Sequence, residues 1–298
     1  MELTRPAAIT IGNAEVQVVG ELGPHPVVPD EFIEGATPEV IARHRSWLAP
    51  HFVDDEGCLI SSVHSYVVRT ESTTMVVDTC FGNDKQRPWF PPADRLDTPY
   101  LDRLLDVGVA PEDVDVVVCT HLHIDHVGWN TRLVDGRWVP TFPRARYVVA
   151  AREWEHWRAG AGAGSESNRA ILADSVQPVV DAGQAVFVDT DHAIDPEIHL
   201  EPLPGHTPGH VGVRLASGSA RAVFTGDLFH SALQVAEPQL ALRTQLGPEW
   251  DRELGIETRR SFLEDHADRG IVMLAAHFPS PWGFEIVRHG ASWRPRPS

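Results

Sequence analysis

Val114-Asp115-Val116-Val117-Val118-Cys119-Thr120-His121-Leu122-His123-Ile124-Asp125-His126-Val127-Gly128-Trp129-Asn130 runs from a β-branched apolar stretch straight into three imidazoles and a carboxylate. The apolar part predicts a short buried strand that ends where the histidines begin. On an extended or loop backbone residues i and i+2 point the same way, so His121 and His123 are placed to share one ion. Asp125 and His126 then face a neighbouring position, which calls for a second ion. The chain has 16 His in 298 residues, yet chance poorly explains four ligand-type side chains in six positions after a strand.

Two ions need more ligands than this stretch supplies, and three other strand ends offer them. Gly205-His206-Thr207-Pro208-Gly209-His210 is a glycine-flanked turn presenting His206. Thr225-Gly226-Asp227 follows the apolar run Ala220 to Phe224, and His277 follows Ile271 to Ala276. Taken singly, each has a plain structural reading as a helix cap or a hydrogen-bonded turn residue. Taken together they make that reading weak.

The HxHxDH run, the GHTPGH turn, the TGD strand end and the late AAH resemble the metallo-β-lactamase superfamily, with motifs spanning Asp78 to His277. The resemblance implies an α+β fold, the αββα sandwich: two mixed β-sheets packed face to face with helices outside. It implies that His121, His123 and His206 hold one ion, Asp125, His126 and His277 the second, and that Asp227 bridges them. An Asp bridge without a cysteine ligand departs from true β-lactamases and disfavours antibiotic hydrolysis. His123 stands where the flavodiiron branch carries Glu, and His126 and His277 exceed what mononuclear persulfide dioxygenases use. The remaining group includes quorum-quenching lactonases, methyl parathion hydrolase-like enzymes and glyoxalase II. Gly226 to Val235 looks most like the methyl parathion hydrolase branch. The best-known lactonases have Tyr three residues after the bridging Asp, and here that position is His230.

The implied activity is a dinuclear metal-dependent hydrolase that attacks a small ester or lactone with a hydroxide bridging ions about 3.5–4 Å apart. Asp125 and Asp227 act in catalysis as well as ligation, and His230 is placed to donate a proton to the leaving group. Phosphotriesterase or thioesterase chemistry fits the same site, and an iron-dependent redox enzyme is the reading from another class. Zinc is the default metal; iron, manganese and cobalt accept the same N/O ligands. Asp78 and His64 are candidates to hydrogen-bond the ligands from behind. Trp89, Phe90, Trp129, Phe229, Phe278 and Trp282 flank the motifs, either as an apolar pocket wall or as core.

Composition bounds the partners. A net charge of −17 with only 25 Lys+Arg argues against nucleic acid or an anionic membrane surface, since phosphate binding needs clustered cations. A small, fairly apolar substrate is the expected partner, and a homodimer is compatible with it. Cys58, Cys80 and Cys119 form neither a disulfide framework nor a thiolate metal motif, which suits a reducing compartment. Met1 to Pro6 precede no apolar leader-like segment, and no stretch approaches about 18 apolar residues. Cytoplasmic location is the default.

The chain reads as a single domain, 1–298, with 23–57 as an arm or lid holding a helix at Pro38 to Leu48. Strands are expected at Glu15 to Val19, Leu59 to Arg69, Thr73 to Asp78, Val114 to Cys119, Ala145 to Ala150, Ala185 to Val188, Val211 to Leu215, Ala220 to Thr225 and Ile271 to Ala276. Helices are expected around Leu101 to Leu105, at Arg152 to Trp157 and at Arg252 to Asp268. Gly82 to Asp97 reads as a covering loop, and Gly160 to Ser165 as a flexible surface loop.

Overall fold

A computed structural model describes residues 8–159, 166–243 and 249–298. The Met1 to Pro6 and Gly160 to Ser165 segments lie outside the described residues. The chain divides into two compact units, one of Leu22–Val63 with Ala193–Ser298, the other of Glu2–Glu21 with His64–His192.

A seven-stranded mixed sheet, most of it in the second of these, has the order Ile9–Ile11, Ala14–Val27, Leu59–Arg69, Thr74–Val77, Val116–Cys119, Arg146–Ala150, Ala185–Val188. Ile9–Ile11 pairs antiparallel with Ala14–Val27, and Leu59–Arg69 with Thr74–Val77, with Tyr66 opposite Val77 as the Thr70-Glu71-Ser72 turn requires. From Thr74–Val77 onward the strands are parallel, with Val118 between Val77 and Val148. Val116–Cys119 is therefore covered on both faces, and all four residues are buried. That explains its unbroken apolar character. Parallel neighbours end at the same edge, so Asp78 and the Thr120 to His126 stretch emerge side by side.

The other unit carries a six-stranded mixed sheet, Ile198–Pro202, Val211–Ser217, Ala220–Phe224, Val272–Leu274, Phe284–His289 and Ser292–Pro297, in that order. Ala220–Phe224 and Val272–Leu274 are parallel, with Phe224 opposite Leu274. Their connection contains the helix Arg252–His266, as a parallel crossover needs, and Asp251 caps it by accepting the Leu254 N–H at 3.0 Å. Asp227 and His277 consequently leave the sheet from the same edge. The helix Pro38–Leu48 forms over the predicted span, with Pro at its first turn and Thr37 as cap. Ile33, Ile41, Leu48 and Phe52 insert into one core with Phe229, Phe262, Leu263, Phe278 and Phe284. The 23–57 segment also gives a short strand, Ile33–Glu34, paired with Ala241–Leu242.

Several elements escaped the sequence reading. The first long strand runs to Val27. The hairpins Thr131–Val134/Arg137–Pro140 and Phe284–His289/Ser292–Pro297 were not expected, nor was the π-helical turn Leu172–Val176. That turn anchors the Gly82 to Asp97 loop, which holds one 3-10 turn at Pro91–Ala93. Asp174 accepts both terminal nitrogens of Arg87 at 2.7 Å, and its carbonyl accepts from the buried Lys85 at 3.2 Å. Lys85 also donates to Thr131 Oγ1 at 2.9 Å and lies 3.7 Å from the Trp138 ring centre. Among the described residues no helix is long and apolar enough to cross a membrane.

Two predictions follow from these packings. Burial pulls the Lys85 ammonium down from 10.5 to about 7, against the pull of Asp174. The folded state thus releases this proton earlier than the unfolded chain, so the Lys85 contribution to stability rises between about pH 7 and pH 10. At about 1.4 kcal/mol per pH unit, wild type should gain on the order of 4 kcal/mol over Lys85→Met across that window in urea unfolding. Equal pH slopes would contradict the burial argument. A Cβ on Gly128 would sit 1.8 Å from the Phe81 carbonyl oxygen. Gly128→Ala should destabilise by about 3 kcal/mol or more, read as a lower urea midpoint at an unchanged slope.

Candidate metal centre

In the seven-stranded unit the ligand-type residues sit on the loop after Val116–Cys119 and are fixed from behind by Asp78. Its Oδ1 accepts the Thr120 N–H at 2.8 Å, and its Oδ2 accepts the Thr120 hydroxyl and His126 Nδ1–H, each at 2.8 Å. The Thr120 oxygen in turn lies 3.1 Å from His121 Nδ1, which donates to it. One carboxylate therefore sets the ring orientation of both His121 and His126 and directs their Nε2 atoms away from it. Asp78 has φ +55°, a left-handed conformation that an Asp tolerates better than most residues. His121 Nε2 and His123 Nδ1 face each other at 2.9 Å, and His126 Nε2 lies 3.6 Å from Asp125 Oδ2. Behind His123 is the Trp157 ring, and Glu153 accepts both the Trp157 indole N–H at 2.7 Å and the Leu122 N–H at 3.2 Å.

The loop is further tied to the Asp78 to Gly82 turn. Thr79 N–H donates to His126 O, Gly128 N–H to Cys80 O and Trp129 N–H to Thr79 O. Beneath that crossing lies Glu21, buried and accepting from the Phe81 N–H at 2.7 Å, the Gly82 N–H at 3.1 Å, the Trp129 indole at 2.6 Å and Thr98 Oγ1 at 3.3 Å. Burial raises its carboxyl, and these donors hold it back. Trp129, stacked on Tyr100, is thus a structural post rather than a surface wall.

In the six-stranded unit Asp227 is the centre. Its Oδ2 lies 3.2 Å from His206 Nε2 and 3.0 Å from His230 Nε2, and its Oδ1 lies 3.0 Å from His277 Nε2. Asp227, His230 and His277 form a buried His/Asp cluster of ligand-type atoms. Ser62 O accepts His277 Nδ1–H at 3.1 Å, which leaves the Nε2 lone pair aimed at Asp227. The last residue of the GHTPGH turn does something different. His210 Nδ1–H donates to Leu203 O at 2.8 Å, so its Nε2 accepts the Asp227 N–H at 3.0 Å. His210 is a strut for the Asp227 backbone, a role the sequence reading missed. Gly205, with φ +133°, sits so close to the helix Arg252–His266 that a Cβ would meet Gly255 Cα at 2.3 Å.

His230 lies under Phe32, ring centres 6.2 Å apart, and stacks on His277 at 5.5 Å. Its N–H donates to Gln234 Oε1 at 2.7 Å, and its Nδ1 has no hydrogen-bond partner among the described residues. Burial pushes the imidazole down to about 4 against the attraction of Asp227, with His206 and His277 lowering it further. His25, at the end of Ala14–Val27, is also lowered by burial and by His277. Of the residues expected behind the ligands, Asp78 has that place, whereas His64 is seen edge-on to Tyr66 at 4.8 Å. Phe229 and Phe278 belong to the core, Trp282 is buried, and Phe90 faces Phe81 at 6.0 Å. Trp89 lies under the Arg87 guanidinium at 5.7 Å. Cys58, Cys80 and Cys119 are free thiols.

These donor sets suit a borderline divalent cation. Each half offers imidazole nitrogens and carboxylate oxygens at short mutual distances, with the far ring nitrogens of His121, His126 and His277 hydrogen-bonded as ligating histidines usually are.

Among curated proteins the chain is similar to an N-acyl homoserine lactonase of Bacillus sp, 25% identical over 50% of this chain and 56% of that one. It is also similar to the N-acyl homoserine lactonase AttM of Agrobacterium fabrum, 28% identical over 65% of this chain and 69% of that one. The chain spans only about half the length of the first of these relatives. Among solved structures it matches the hydrolase AbOPH of the beta lactamase superfamily with a TM-score of 0.80 at 22% identity, over 100% of this chain and 99% of that one. It matches AidC, a dizinc quorum-quenching lactonase solved with a product, with a TM-score of 0.75 at 20% identity, over 98% and 97% of the two chains. Those likenesses show the fold. The model of the metallo-beta-lactamase superfamily matches residues 60–294, and the chain, α+β on two mixed sheets, belongs to that superfamily.

Proposed function

We propose that this chain is a hydrolase that opens a carboxylic ester or lactone in a small, fairly apolar substrate, using two divalent ions. His121, His123 and His206 would hold one ion, Asp125, His126 and His277 the other, with Asp227 shared between them. The observation that carries this reading is the Asp227 carboxylate with three imidazole Nε2 atoms within 3.2 Å, all buried. A buried carboxylate facing three ring nitrogens is an arrangement that a cation satisfies. The lactonase relatives support the ester or lactone class, and Phe32 beside His230 supports an apolar substrate.

Bound divalent ions would supply Lewis acidity and a hydroxide nucleophile at neutral pH. The chain's own residues do the rest. Asp78 keeps His121 and His126 in the tautomers that present Nε2. His210 holds the Asp227 main chain, and Ser62 O orients His277. Asp125 is the proposed acceptor of the proton released as the substrate is attacked. His230 is the proposed donor to the leaving oxygen; because burial keeps its ring neutral at rest, it must take up that proton during turnover. Nitrogen and oxygen ligands without sulfur suit zinc, and iron, manganese and cobalt share that preference. Free thiols suit action in the cytoplasm.

Metal analysis of purified protein, with a panel of lactones, aryl esters, thioesters and phosphotriesters, tests the reading. Two ions per chain and highest kcat/KM on lactones or esters are expected; Asp227→Asn should lose bound metal and more than about 100-fold in kcat/KM. Activity that survives both Asp227→Asn and chelation would sink it, and a preference for phosphotriesters or thioesters would reassign the substrate class. His230→Ala should lower kcat by about 100-fold with both ions retained. Unchanged turnover removes His230 from the reaction.

A further inference from the structure

The helix Arg252–His266 carries a buried ion pair that no ligand role explains. Arg259 and Glu249 are each about 1% exposed, and the Arg259 guanidinium donates to Glu249 Oε1 at 2.6 Å. Its Nε donates to Pro238 O at 3.1 Å and its other terminal nitrogen to Leu240 O at 3.3 Å. A buried pair is a weak stabiliser compared with apolar side chains of similar volume, so its worth must be sought in what it holds in place.

Two chains of hydrogen bonds start from this guanidinium. On one side, the residues after Glu249 grip the turn that carries His206. Trp250 N–H donates to His206 O at 3.0 Å, Asp251 N–H to Gly205 O at 2.9 Å, and Thr258 Oγ1 to Pro204 O at 2.7 Å. Three consecutive carbonyls, Pro204 to His206, are thereby fixed to one end of the helix, and the Gly205/Gly255 approach leaves the turn no room to shift inward. On the other side, Leu240 O also accepts Gln234 Nε2 at 3.0 Å, and Gln234 Oε1 accepts the His230 N–H at 2.7 Å. One guanidinium thus joins the turn of His206 to the segment of His230, the two imidazoles that meet at Asp227 Oδ2.

We propose that Arg259 and Glu249 are a positioning pair for His206: the pair sets the distance between His206 Nε2 and Asp227 and so tunes the affinity of the ion those two residues share. This rests on His206 and Asp227 being metal ligands as proposed above. Groups behind a ligand that fix its direction typically change metal affinity by about 10 to 100-fold when removed.

The test is a cobalt(II) titration of the full-length, chelator-stripped protein, followed by visible absorption, with near-UV circular dichroism and Tm recorded for each variant. Arg259→Met should weaken one of two cobalt ions by about 10 to 100-fold and leave the other unchanged. Glu249→Gln, a nearly isosteric change that removes the negative charge of the pair, should weaken the same ion by a smaller factor and decides the matter if Arg259→Met does not fold. Leu263→Ala, which empties a core position on the same helix, should lower Tm without moving either affinity. Unchanged cobalt affinity in the folded variants, or an equal loss in Leu263→Ala, would overturn the proposal. Wild type that takes up no cobalt, or His206→Ala that binds two ions as wild type does, would instead overturn the metal site itself and the positioning role with it.

Discussion

The packing of three imidazoles against one buried carboxylate, Asp227, is the constraint around which the six-stranded unit is arranged. A carboxylate deprived of water must be compensated, and an imidazole that turns its N–H to another acceptor, as His277 does, presents beside that carboxylate a lone pair suited to a shared cation. Ser62 O fixes the proton of His277, His210 fixes the Asp227 backbone, and the clamp from Trp250, Asp251 and Thr258 fixes the turn of His206. Each of these partners is a main-chain group or a side chain rigidly held by one. The site is therefore built into the sheet edge and does not depend on long flexible side chains.

The seven-stranded unit solves the same problem with a different carboxylate. Asp78 stands behind its histidines, whereas Asp227 faces the Nε2 atoms of its own, and Asp78 reaches His121 only through the Thr120 hydroxyl. Parallel pairing makes this economical in sequence. Thr74–Val77 and Val116–Cys119 end at one edge, so a residue just past one strand meets the loop just past the other, 42 residues on. Ala220–Phe224 and Val272–Leu274 repeat the device for Asp227 and His277.

The residues most legible in the sequence were those whose signal is local. His121 to His126 follow a β-branched run, and Pro38–Leu48 has its cap and its proline in adjacent positions; both appear where the pattern put them. Family motifs extended that reading to His206, Asp227 and His277. What stayed illegible depends on partners far along the chain. Glu21 looks like any strand-end acid until Phe81, Gly82 and Trp129 converge on it. His210 resembles a ligand because it repeats the Gly-His pattern, and only the Leu203 carbonyl reveals it as a strut. Arg259 reads as a surface residue of an amphipathic helix, whereas Glu249 and two carbonyls bury it. The hairpin Phe284–His289/Ser292–Pro297 was missed because its second strand is rich in Pro and Arg, residues that argue against a strand except at a sheet edge, where it lies.

The central claim is that seven nitrogen and oxygen ligands act as one set for two neighbouring ions. X-ray absorption of the zinc-loaded protein tests it most directly. The account predicts a first shell of nitrogen and oxygen alone at about 2.0–2.1 Å and a second metal at about 3.5–4 Å. A first shell containing sulfur, or the absence of a metal neighbour at two ions per chain, would contradict it.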